Sequence, residues 1–235
     1  MEEMIEEYII QEYIEGQKLV FAKILRAADE GHKPAIEQIV KNFGKLSSFL
    51  ESRKWLFEKY VESNTKSGVS NYYLGLLSED NSFTQRKYFK ASADQSFVLG
   101  MIALGDWYYN KKRYFLSESM YESALKSDQF DILKDVMSGN NLSILQVLHN
   151  NLSLCGWYSK DKHLFLKHNE TARELKYAIA FNNIANGYFI GGLICETPDY
   201  EKALEFYKLA LLHKSQLSDS HIEYIIEKIS HIENK

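Results

Sequence analysis

Cys155, His163 and His168 fall within fourteen residues of one another and are the side chains of this chain best suited to chemistry. Thiolate and imidazole ligate zinc-like ions and also serve nucleophilic catalysis. No further ligand follows at a recognised spacing, and a thiol nucleophile needs a base held against it. Seven His and two Cys among 235 residues bring such trios together by chance. The chain contains no HExxH, P-loop, GxSxG, Rossmann or kinase signature, each of which depends on a definite spacing. Gly75, Gly105 and Gly187 are isolated along the chain rather than clustered at a helix start, so they suit close helix crossings better than a phosphate cradle. The expectation is a non-enzyme without catalytic residues, metal or cofactor.

Composition narrows the partners. A hydrophobic share of 45% with 26% charged residues is that of a folded chain. Its formal net charge of -4 supplies no basic field for a phosphate backbone, so no nucleic-acid partner is expected. Charge runs such as Glu2, Glu3, Glu6 and Glu7, or Lys111, Lys112 and Arg113, read as solvated surface and a loop. Two cysteines without CxxC spacing do not make a disulfide framework. The opening, MEEMIEEYIIQEYIEG, is acidic where a secretory signal is basic, and no apolar run approaches the roughly 18 residues of a membrane span. A cytoplasmic location without membrane partners is expected.

Only 2 Pro and 12 Gly leave too few breakers for a many-stranded sheet, which points to long helices. The helical segments repeat. Small residues closing a second helix recur at Ala27, Ser92, Ala124 and Ala210, with Tyr60 in the series between the first two. A first-helix landmark recurs at Ala35, Ser70, Gly100 and Ile132. As far as Ala124 and Ile132 both markers keep a period near 32 residues, the signature of stacked helical hairpins. A small side chain is needed where two helices cross closely, and the bulky residues on either side then fill the grooves.

This alternation resembles the Sel-one-like repeat, a branch of the tetratricopeptide superfamily, whose pattern is A-x3-L-G-x2-Y in the first helix and A-x2-W-Y-x2-A-A-x2-G in the second. The matching pieces are AADEG at 27–31 with Ala35 and Ile39, LGDWYY at 104–109, and DYEKALEFYKLAL at 199–211, where Ala203, Phe206, Tyr207 and Ala210 take the pattern's positions. Val40, Tyr60, Val61, Met137 and Asn140 depart from it. The resemblance implies an all-α, α/α solenoid of stacked antiparallel helix hairpins and a non-catalytic adaptor or scaffold that holds another protein.

The reading along the chain is of one repeat domain over 1–235. A capping helix at 1–16 is followed by helices near 18–30, 34–44, 52–63, 69–78, 83–94, 97–109, 114–127 and 130–138. The period fails near 139–162, which reads as an irregular insertion, and resumes with helices near 163–175 and 176–190. Thr197, Pro198 and Asp199 read as the hydroxyl cap, first-turn proline and dipole-facing acid of a helix start. Ile222, Ile225, Ile226, Ile229 and Ile232 lie on one side of a capping helix at 218–232.

First helices of such a stack line its inner curve. Positions two, six and nine beyond the landmark place Glu37 and Lys41, Tyr72 and Glu79, and Ile102, Asp106 and Tyr109 on that face, with Tyr188 comparable in the last copy. Aromatic anchors flanked by charge suit a protein or peptide segment. Two other readings stand beside this one. A self-associating structural unit would form a homo-oligomer through its opening and closing helices, and a ligand binder or enzyme would use the same scaffold.

Overall fold

The computed structural model describes residues 23–30, 32, 34–35, 67–133 and 143–234. The expected capping helix at 1–16 and the helices near 34–44 and 52–63 lie outside these residues, apart from residues 34–35. The protein is all-α, and no strand occurs among the described residues. Residues 23–29 are helical. They are followed by α1 (Gly68–Leu76), α2 (Phe83–Asp94), α3 (Val98–Asn110), α4 (Tyr114–Leu125), α5 (Phe130–Leu133), α6 (Ile144–Ser159), α7 (Lys162–Glu174), α8 (Ala178–Ile190), α9 (Tyr200–Leu212) and α10 (Asp219–Glu233). A 3-10 turn, Lys214–Gln216, joins the last two.

Where the sequence reads as one repeat domain, packing divides the chain into two compact units. The first contains residues 1–110 and 122–133, the second 111–121 and 134–235. In the first, α1 packs on α2, α2 on α3, and α1 also lies against α3. In the second, α6 packs on α7, α7 on α8, α8 on α9 and α9 on α10. Neighbouring helices therefore pair in chain order, as helical-repeat folds require.

Six helix starts have a local cause. The Ser67, Ser82, Ser143, Asp161, Asp199 and Ser218 side chains accept from backbone N–H groups in the first turn of α1, α2, α6, α7, α9 and α10. Such a cap is worth about 1 kcal/mol. The sequence reading put the hydroxyl of Thr197 in this role for α9. The cap is instead Asp199, which accepts from the Lys202 N–H at 3.1 Å, and Pro198 precedes the helix. Carboxylate charge at the positive helix end favours this choice.

The expected irregular insertion at 139–162 is corrected by α6, a 16-residue helix. Ser143 and Gln146 form a reciprocal capping box, and Leu148, Leu152 and Cys155 form its buried stripe. The missing repeat marker hid an ordinary amphipathic helix. Residues 139–142 lie outside those described.

The same turn links hairpins in both units. Phe97 N–H donates to Ser92 O at 3.3 Å and Tyr177 N–H to Ala172 O at 3.0 Å. Between them, Ser96 and Lys176 sit in the left-handed region at φ 59° and 57°. The next helix is then tied down by a distant glutamine. Gln129 Oε1 accepts from Val98 N–H at the start of α3, and Gln216 Oε1 accepts from Ala178 N–H at the start of α8. These bonds satisfy donors that a helix start leaves without an intrahelical acceptor.

Close crossings occur at the small residues. A Cβ on Gly75 would overlap the Phe89 ring, and one on Gly100 would overlap the Ser92 side chain. Ala203, Tyr207, Ala210 and Ile225 form a core with Phe181 and Ala185, against which Ile229 and Ile232 pack. The closing helix expected at 218–232 is thus α10, packed on α9. Its apolar side is covered unevenly, since Ile225 is fully buried and Ile226, one step around the helix, is 50% exposed.

Candidate functional site

The first-helix residues singled out from the sequence separate into three groups. Glu37 and Lys41 lie outside the described residues. Tyr72, expected as an exposed anchor, is a core residue at 7% exposure. Its ring packs against Tyr73, Phe89 and Phe97 at centroid distances of 5.4, 6.3 and 5.7 Å. The correction has a simple cause: α2 and the turn into α3 close over this face of α1. Burial, with the Asp106 carboxylate as a second contributor, drives the Tyr72 phenol well above its ordinary range, so it stays neutral.

Glu79 and Asp106 are exposed and Tyr109 is half-buried. The Asp106 carboxylate of α3 acts electrostatically on the Tyr72 phenol of α1. Arg86 of α2 extends this surface. Its guanidinium lies 5.7 Å from the Trp107 ring centroid and 5.8 Å from that of Tyr108. It also donates to the Tyr108 hydroxyl at 3.4 Å.

In the second unit Tyr188 is half-buried and stacks on Phe206 at 5.8 Å with rings 15° apart. Lys202 Nζ stands 5.3 Å from the Tyr188 ring and 3.2 Å from Asp199 Oδ2. The hydrogen bond and charge of Asp199, with Tyr188 adding to them, hold the Lys202 ammonium above its usual range. This cluster joins an aromatic face to a persistent cation.

Ala180 is the third residue of α8, as Ser70 is of α1 and Gly100 of α3, and positions two, six and nine beyond it are Asn182, Asn186 and Phe189, none of them among the residues singled out from the sequence. Asn182 is buried. Asn186 Oδ1 accepts from both the Tyr207 hydroxyl at 2.6 Å and the Tyr224 hydroxyl at 2.8 Å, joining α8 to α9 and α10. Phe189 packs edge-on to Tyr200 and Tyr207, with Lys228 Nζ 5.5 Å from its centroid. The same offset that located Asp106 would have found Asn186.

Cys155, His163 and His168 do not converge. Cys155 is buried and donates to the Ser117 hydroxyl at 3.5 Å, while His163 is exposed. His168 is buried and meets His149, with their Nδ1 atoms 2.8 Å apart. Burial, and secondarily the Lys167 charge, lower the His149 pKa. Among the described residues no group of three or more His, Cys, Asp or Glu is placed to hold a metal ion. None of their helices is long and apolar enough to cross a membrane.

No family model matches the chain. No curated protein matches it closely enough to count as a relative.

Proposed function

We propose that the protein is a non-catalytic adaptor or scaffold of the Sel-one-like, tetratricopeptide-related kind, which holds a segment of a partner protein on its repeat surface. The observation that carries this reading is the pairing of charge with a partly open aromatic in each unit: Asp106 and Tyr109 on α3 of the first, and Tyr188 of α8 beside Lys202 of α9 in the second. Aromatic side chains supply contact area at low entropic cost, while flanking charges choose among segments. Packing of α1 against α3 supports the reading, because it lets successive repeats contribute to one surface. The neutral, buried Tyr72 belongs to the support of that surface rather than to its contacts.

Selection of a random peptide library on the immobilised full chain tests the proposal. Peptides should be retained by the wild type, and the Asp106→Ala/Tyr109→Ala double variant should weaken them by on the order of tenfold. Retention undiminished in that variant and in Tyr188→Ala, or no selected peptide at all, overturns it.

A further inference from the structure

The loop Lys111, Lys112, Arg113 leads directly into an apolar corner of the second unit. Phe115 is 77% exposed and Leu116 38%. Tyr114 stacks on Tyr158 near the end of α6, with centroids 5.1 Å apart and rings 15° from parallel. Tyr158 itself is 50% exposed. Two residues further on, Lys160 closes α6 in the left-handed conformation, its Nζ 5.8 Å from the Trp157 ring. The stack brings together two chain segments with exposed cations, Lys112 and Arg113 just before Tyr114 and Lys160 two residues after Tyr158. Asp161 is the nearest carboxylate in sequence, and its Oδ1 is engaged by the Leu164 N–H at 2.9 Å.

We infer that this corner of α4 and α6 docks an acidic segment of a partner protein that carries a large apolar side chain, with Phe115 and Tyr158 as the apolar seat and Lys112, Arg113 and Lys160 as the charge match. Desolvated aromatics at the centre with charges at the rim give affinity and steering respectively. The extent of the patch favours a peptide over an anionic bilayer. An interfacial helix presents one apolar and basic face along its length. In α4 the exposed large apolar side chains are Phe115 and Leu116, both in its first turn. The inference concerns a surface other than the first-helix residues Asp106 and Tyr109 and does not depend on them.

The test is fluorescence anisotropy of the full chain with a labelled peptide in which Glu and Asp alternate with Leu and Phe. A lysine-for-acid version of the peptide and vesicles of phosphatidylcholine with phosphatidylserine serve as comparison arms. The acidic peptide should bind, weaken as salt rises, and lose affinity by on the order of tenfold in Phe115→Ser and in Lys112→Glu/Arg113→Glu. Phe115 is so exposed that its replacement removes little core, and an unchanged thermal transition verifies this. Asp106→Ala/Tyr109→Ala should bind the acidic peptide as the wild type does, which separates this surface from the proposed adaptor face. Absence of binding, equal affinity for the lysine version, indifference to both loop variants, or binding to the vesicles alone overturns the inference.

Discussion

The Ser92 hydroxyl donates a 2.6 Å hydrogen bond to the carbonyl oxygen of Gly68, twenty-four residues earlier. It thereby ties the second helix of one hairpin to the start of its first. Gly100, the landmark of the following helix, lies against the same side chain, with its would-be Cβ 2.5 Å from Ser92 Cβ and 3.1 Å from the Ala93 nitrogen. The two periodic markers of the sequence thus meet at one crossing. Ser92→Ala removes one buried hydrogen bond and should cost about 1 kcal/mol. Gly100→Ala must push α2 and α3 apart and should cost more, about 2–3 kcal/mol. Urea unfolding midpoints check the order, and an equal or reversed effect would deny that this crossing is close-packed.

The other hairpin crossing contrasts rigid with yielding neighbours. A Cβ on Gly156 would overlap the Phe165 backbone nitrogen and approach the Asp161 carbonyl to 2.9 Å. On Gly187 it would overlap only the end of the Ile194 side chain. Backbone cannot step aside as a side-chain terminus can. Gly156→Ala should therefore lower stability by about 3 kcal/mol and Gly187→Ala by about 1. The Ile194→Val change should relieve only the second variant, which thermal melts of the single and double variants can establish.

Much of the helix plan was legible because apolar spacing and capping residues are local signals. Ser82 before α2 and Leu104, Gly105 and Tyr108 within α3 place their helices without knowledge of the partner. Tyr72 was not legible in the same way. Its offset from Ser70 sets its direction around α1, but Phe89 and Phe97, distant in sequence, decide that this direction is covered. The missed α6 has another cause. Ser143-x-x-Gln146 and the stripe through Leu148, Leu152 and Cys155 are local helix signals, but the small-residue marker lapses there, so the repeat period alone does not reveal the helix. Asn186 lies two residues before Tyr188, and its role depends on Tyr207 and Tyr224, which are distant in sequence.

Asn186 should behave as a shared acceptor. Asn186→Ala leaves the buried Tyr207 hydroxyl without this acceptor and also releases Tyr224, for an expected loss of about 2–3 kcal/mol. Adding Tyr207→Phe to Asn186→Ala should cost less than the two single changes summed. A double-mutant cycle on the unfolding free energy measures that coupling, and simple additivity would remove Asn186 from this role.

Acid should loosen α6 from α7. In the fold His149 has a pKa below its ordinary 6.5, because burial and then Lys167 oppose its charge. The unfolded chain consequently takes up the proton first as pH falls through about 6.5, and stability present at neutral pH declines until the folded-state pKa is passed. The 2.8 Å Nδ1 contact with His168 adds to this, since one ring must donate and the other accept. The urea midpoint should fall between pH 7 and pH 5, and His149→Gln should flatten that fall. An identical pH profile in the variant would exclude the pair as its source.

The hairpin turns offer a gain of stability. Ser96 and Lys176 occupy the same place between a second helix and the next first helix, at φ 59° and 57°. Their N–H neighbours Phe97 and Tyr177 close the turn on Ser92 and Ala172. An L side chain in this region crowds its own carbonyl at a cost of roughly 1 kcal/mol, which glycine avoids. Glycine is also more flexible in the unfolded chain, which offsets part of the gain. Ser96→Gly and Lys176→Gly should each still raise stability by about 0.5 kcal/mol and nearly additively, as they lie in different units. The neighbouring change Gln95→Gly, at φ -92°, meets no such strain and should instead destabilise through the unfolded chain alone. Calorimetric transition temperatures of the three variants check the sign. A loss at both Ser96 and Lys176 would show that side-chain contacts, rather than backbone handedness, govern the turn.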